Sequence, residues 1–165
     1  MRLRRQHENG QRGATLVEFA IVVPLLLLLL FGIVEVSRMI AEFTSIRTAA
    51  REGARFATTT DVSGGVPHYR DCSGIIEAAQ AKSVLGATSN ISVTWTSPAT
   101  PSYIHTCTTA DTSNDPDQTK VVSGTVVRVK VISTFETVIP LLAPFFDGIE
   151  LDTEQSREIF VGQTT

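Results

Sequence analysis

Arg12-Gly13-Ala14-Thr15-Leu16-Val17-Glu18-Phe19 places a glycine, a lone carboxylate and the start of a long apolar run in immediate succession. From Ala14 to Val34 the only charged residue is Glu18, and Leu25 to Leu30 are six leucines in a row. As a helix this stretch extends about 31 Å, the hydrocarbon thickness of a bilayer. A soluble core helix needs a polar stripe, and the leucine run leaves no room for one. The pattern predicts a membrane-spanning helix over 14–34. Pro24 removes one backbone hydrogen bond within it, a defect that membrane helices tolerate.

Before the span lies a short basic tail. Of 14 Lys/Arg and 17 Asp/Glu in the chain, four arginines and Glu8 fall in residues 1–13, so residues 14–165 carry a net charge of −6. An acidic body argues against a nucleic-acid partner. The arginine-rich tail outweighs Arg38, Arg47 and Arg51 beyond Val34, which predicts the N-terminus in the cytoplasm and the body outside. Glu35-Val36-Ser37-Arg38-Met39 offers no small-x-small cleavage site after the apolar run, and no cysteine follows it to mark a lipoprotein. The segment is therefore an uncleaved anchor, or it is cut at its other end.

The helical pattern continues past the span. Val36, Met39, Ile40, Phe43, Ile46, Ala50, Ala54 and Ala57 recur at steps of three and four, predicting an amphipathic continuation over 35–57. One helix over 14–57 measures about 66 Å. Arg47, Arg51 and Arg55 form a basic stripe at four-residue steps, either a solvated face or a docking surface for an acidic partner. Ala49, Ala50, Gly53 and Ala54 give a small-residue patch that permits close helix approach.

Residues 58–165 form a small body. Ser73 is positioned to cap a short helix from Gly74 to Leu85, with Gly86 to stop it. Ile91, Val93 and Trp95 alternate with polar residues as a strand, and Val121 to Glu136 is the clearest strand, burying Val127, Val129, Val131 and Phe135. Ile149 to Glu154 is a third strand, which Ile159 to Val161 prolongs. The expected fold is α+β: a long N-terminal helix, a short second helix and a three-stranded antiparallel sheet covered by the amphipathic half of the long helix. Val138 to Phe146 is too apolar for an ordinary turn, and core closure is preferred for it over contact with a membrane surface or a partner.

Ser97 to Lys120 is polar and read as a long loop holding Cys107. Outside the cytoplasm Cys72 and Cys107 make one disulfide, tethering that loop to the second helix. The rival is a metal set of His68, Cys72, His105 and Cys107, less tightly paired than zinc sites are. There is no P-loop, dinucleotide glycine pattern or H-E-x-x-H, and His7, His68 and His105 suggest no triad. No catalytic residue, metal, cofactor or small-molecule substrate is expected.

Thr15-x-x-Glu18 has capping-box spacing, a structural reason for the carboxylate. The wider pattern resembles the type IV prepilin class of signal. Together with Pro24-Leu25-Leu26, Phe31-Gly32-Ile33-Val34-Glu35 and Ala49-Ala50-Arg51-Glu52-Gly53-Ala54-Arg55, it is similar to the TadE-like family of tight-adherence pilus pseudopilins, covering roughly residues 12 to 57 well. The resemblance implies a pilin-like architecture and cleavage by a prepilin peptidase between Gly13 and Ala14, leaving Glu18 fifth. Position 14 is alanine where type IV pilins commonly carry Phe; the pseudopilin group accepts a small residue there. It also implies a single-pass protein of the bacterial inner membrane, with pilin subunits and pilus assembly proteins as partners. Whether the subunit enters a surface pilus, primes it or assists its assembly stays open. The alternative function is an uncleaved single-pass anchor whose exported domain binds a partner or ligand.

Overall fold

In the computed structural model, which describes residues 8–59, 61–83, 90–100 and 102–160, one helix dominates. It is α1, Glu8–Phe56, 49 residues and about 73 Å long. No side chain between Ala14 and Val34 is buried, as an apolar segment meant for lipid requires, and Pro24 lies inside the helix. Because α1 begins at Glu8, Thr15 and Glu18 lie within it and not at its first turn, where a capping box acts. Arg2, Arg4, Arg5 and His7 fall outside the described residues, as do Val84, Leu85, Gly86 and Val161.

Past Val34, α1 turns one face to the body: Glu35, Glu42, Ile46, Ala49, Ala50, Gly53 and Ala54 are buried, as is Ala57 just after its end. The expected apolar stripe is right from Ile46 onward; before it Met39 is half-buried and the other three positions face outward. Val36, Ile40 and Phe43 are 43%, 58% and 40% exposed. Two glutamates occupy the inward positions there, so following apolar residues alone led around the flank of the helix.

The sheet has four strands where three were expected. β1 (Val62–Ser63) and β2 (Val66–Pro67) make a separate small hairpin. The main sheet is antiparallel in the order β4-β3-β5-β6, with β3 at Asn90–Thr96, β4 at Ile104–Thr108, β5 at Val126–Phe135 and β6 at Ile149–Glu158. The missed strand is β4, Ile-His-Thr-Cys-Thr, too polar to announce itself. It forms because β3 offers it a free edge: Trp95 pairs with His105 and Val93 with Cys107. β5 starts later than Val121, since Gly124 takes φ 91°, a left-handed conformation that turns the chain just before the strand. The second helix, α2, spans Cys72–Gln80, and its cap is Asp71, not Ser73: the Asp71 carboxylate accepts from the Gly74 amide at 2.8 Å.

Ile91, Val93 and Trp95 of β3 and Val127, Val129, Val131 and Phe135 of β5 are wholly or almost wholly buried, with α1 and α2 packed on them. Trp95 satisfies its indole by donating to the Tyr69 carbonyl at 2.9 Å. Gly53 marks the crossing of three elements. A Cβ there would lie 3.1 Å from the Ala79 methyl and 3.2 Å from both the Ile75 carbonyl oxygen and a Val129 methyl.

The apolar stretch after β5 does not close the core. Leu142 is buried, but Val138, Leu141 and Phe145 are 70%, 66% and 76% exposed along a short 3-10 turn (Pro140–Leu142) and the single-turn α3 (Ala143–Phe146). The sheet already fills the space beneath α1, so this segment projects beyond Phe135.

Candidate functional site

Gly13, Ala14 and Glu18 are exposed, and beyond its own helix Gly13 has no described atom within 4 Å of where a Cβ would stand. Helical geometry puts positions 14 and 18 one turn apart on the same side of α1. Glu18 makes no ion pair among the described residues.

Two carboxylates that sequence reasoning passed over hold α1 to the body. Glu35 is completely buried. Its Oε1 accepts from the backbone amides of Val138 and Ile139, each at 3.1 Å, and its Oε2 accepts from Arg38 Nη1 at 2.8 Å. Arg38 in turn lies over the Phe135 ring, 5.4 Å from its centroid. Burial pushes the Glu35 carboxyl up, but the hydrogen bonds from the Thr137 hydroxyl and the Ile139 and Val138 amides, with the Arg38 charge, outweigh it and hold the group below the usual carboxylate range. One heptad on, Glu42 accepts from the Ser133 hydroxyl of β5 at 2.6 Å in a buried site. The available signal was the seven-residue spacing, which places both carboxylates on the face that Ile46, Ala49 and Gly53 continue.

Arg47, Arg51 and Arg55 are all exposed, on the side of α1 away from the sheet. Arg55 is held by Glu52, its Nη2 donating at 2.6 Å and its Nε at 3.2 Å. Among the described residues, Arg55 is the member of the stripe that has an ion-pair partner.

Cys72 and Cys107 are bonded to each other, so neither is available as a metal ligand. The disulfide joins the first residue of α2 to β4 and is backed by further ties to the polar segment. Arg70 donates through Nε and Nη2 to the Pro116 carbonyl at 3.0 and 2.8 Å, and the Cys72 amide donates to Asp115 at 2.9 Å. Around Asp117 the Thr119 amide and hydroxyl donate to its carboxylate, holding it below the ordinary value.

An open cleft of about 370 Å³ is lined by Phe56, His68, Asp71, Ser73, Gly74 and Glu77 among others. Its contents are structural. His68 stacks on Phe56 with centroids 4.1 Å apart and meets the Thr59 hydroxyl at 2.8 Å, while Ser73 donates to Asp71 at 2.7 Å.

The geometry therefore concentrates interest on α1, an exposed membrane-length segment joined by buried carboxylates to a disulfide-closed body. No curated protein and no solved structure matches the chain significantly. Residues 13–55 match the family model described as TadE-like protein. The match begins at the junction glycine and ends one residue short of the end of α1. The α1 segment of this membrane-anchored protein is TadE-like.

Proposed function

We propose that the chain is a minor pilin or pseudopilin acting in assembly of a tight-adherence pilus, processed by a prepilin peptidase after Gly13. What supports this most directly is the coincidence of the TadE-like match with α1, whose lipid-length half is unburied and begins at an accessible glycine. The TadE-like segment and the apolar helix together relate the protein to the Tad pilus at the level of a membrane protein.

In this proposal cleavage creates an ammonium at Ala14, one turn from Glu18, at the cytoplasmic edge of the bilayer. Both charges are expensive to leave unpaired in a low-dielectric layer. Helices that assemble with an axial stagger let the Glu18 carboxylate of one subunit neutralise the Ala14 amine of the next, and wrong registers leave both exposed to lipid. Arg47 and Arg51 provide a basic surface outside the membrane for an acidic assembly partner. Charge reversal at both, with unchanged assembly at low and high salt, would remove them from that role. The protein acts as a peptidase substrate and not as an enzyme, with its body outside the inner membrane.

The test is the mature N-terminus. Intact mass from membranes of cells expressing the cognate peptidase is expected to correspond to a chain beginning at Ala14, and from cells lacking it to the full-length chain. A chain that keeps residues 1–13 in the presence of the peptidase returns the protein to the class of uncleaved anchors.

A further inference from the structure

We propose that the segment from Val138 to Phe146 is a second membrane contact: Val138, Leu141 and Phe145 enter the interfacial layer of the same bilayer that α1 crosses and hold the body against it. This rests on residues 14–34 being the span, but on neither processing nor pilus assembly.

Three contacts give the direction of the body along α1. Gly53 packs beside Val129, Glu42 receives the Ser133 hydroxyl, and Glu35 receives the Val138 and Ile139 amides. As β5 advances, its partners on α1 step back toward the membrane, so the strand leads down to the bilayer. The loop that follows is fastened to Glu35, the first residue after Val34. One helical residue is about 1.5 Å along the axis, so the loop is held at the edge of the apolar run.

What the loop presents there suits lipid. Between Glu136 and Asp147 it contains no charged residue. Phe145, at 76% exposed, is the most exposed large apolar side chain in the described structure. Away from the membrane end, the exposed large apolar side chains of the described body lie on separate elements: Val62 in β1, Ile104 opening β4 opposite Thr96, and Phe160 after the end of β6. Three such side chains in one short segment, Val138, Leu141 and Phe145, stand at the membrane end, where an amphipathic segment gains from partial immersion.

The experiment uses the full chain in lipid nanodiscs at one chain per disc, with acyl chains either plain or brominated near the headgroup. Phe145→Trp and, separately, Leu141→Trp add a fluorophore at an exposed position, while native Trp95, wholly buried in the core, is the internal reference. Formation of the Cys72–Cys107 bond reports folding of each variant. We expect the added emission to be quenched about twofold or more by brominated lipid, with Trp95 unaffected, as interfacial immersion requires. Unquenched, water-like emission from chains that co-purify with discs overturns the loop contact while leaving the anchor intact. Burial of the added tryptophan only in discs carrying two chains assigns the patch to a second copy and also overturns it. Failure to co-purify with discs removes the anchor and the proposal together.

Discussion

Glu35 and Ile139, separated by 104 residues, are joined by a 3.1 Å hydrogen bond from the Ile139 amide to the Glu35 carboxylate. Through that bond, and the one from Val138, the end of the membrane run is fastened to the end of the sheet. The carboxylate is buried but not isolated, since every neighbour aimed at it is a donor. Glu35→Ala orphans two amides and Arg38, and should cost about 2–4 kcal/mol. Glu35→Gln keeps an acceptor oxygen for the amides and should cost about 1 kcal/mol. Thermal unfolding in detergent, with hydrogen exchange at Val138 and Ile139, measures both. Equal melting temperatures for wild type and the alanine variant would show that the clamp has no energetic weight.

The same carboxylate predicts a pH dependence. Its folded-state value lies below the ordinary glutamate value of 4.5. A depressed carboxyl stabilises fully above the unfolded value and loses that contribution as pH falls through the folded one. Wild type should therefore lose stability relative to Glu35→Gln below about pH 4.5, so the two curves converge in acid and separate toward neutrality. A constant gap across that range would contradict an ionised Glu35.

At Gly53 two effects of opposite sign can be weighed. Alanine improves helix propensity by about 1 kcal/mol. Its methyl meets Ala79, Ile75 and Val129 at 3.1–3.2 Å, an overlap that small shifts relieve. Gly53→Ala should thus lie within about 1 kcal/mol of wild type. Gly53→Leu has no such escape and should destabilise by about 3 kcal/mol or more, separating α1 from α2 and β5. Chemical denaturation of both variants decides the matter; a tolerated leucine would mean that the close crossing is looser than these distances.

These sites explain which parts of the fold were legible. Val127, Val129, Val131 and Phe135 alternate, and Leu25 to Leu30 leave no polar stripe, so β5 and the span follow from periodicity alone. β4 was hidden because His105, Thr106 and Thr108 carry no apolar alternation; its edge pairing and the disulfide supply what its composition lacks. Glu35 and Glu42 were overlooked because apolar pattern-reading skips a carboxylate on a buried face unless its donors are known. Apart from Arg38, those donors lie in β5 and in the loop after it, about ninety or more residues away, where only the folded chain brings them close.

The disulfide should matter more to the polar segment than to α1. Cys72 and Cys107 are 35 residues apart, and closing a loop of that size stabilises a fold by about 3–4 kcal/mol in the chain-entropy account. Cys72→Ser with Cys107→Ser should lower the melting temperature and expose residues 97–120 to protease first, since β4 is a short edge strand and Arg70 to Pro116 is the main remaining tie. Protease cutting that begins elsewhere, with 97–120 still protected, would show that the polar segment does not depend on the bond.

Glu18 separates anchoring from assembly. It is exposed, with no ion pair among the described residues and no contact to the body, so Glu18→Gln should leave melting temperature, disulfide formation and membrane insertion unchanged. Neutralising it also lowers the cost of placing that position in lipid, so any loss of function cannot be blamed on poor insertion. If Glu18 receives the Ala14 ammonium of a neighbouring subunit, the variant is processed but fails to support pilus formation, because the new amine has no counter-charge in any register. The measurement is complementation of a deletion strain, scored by surface pili and by crosslinking between cysteines placed on the exposed face of α1, at positions 36 and 40. Crosslinks and pili at wild-type levels in Glu18→Gln would remove the carboxylate from subunit registry. Lost crosslinks with intact processing and insertion would leave the inter-subunit pair as the remaining account of a charge in an otherwise apolar span.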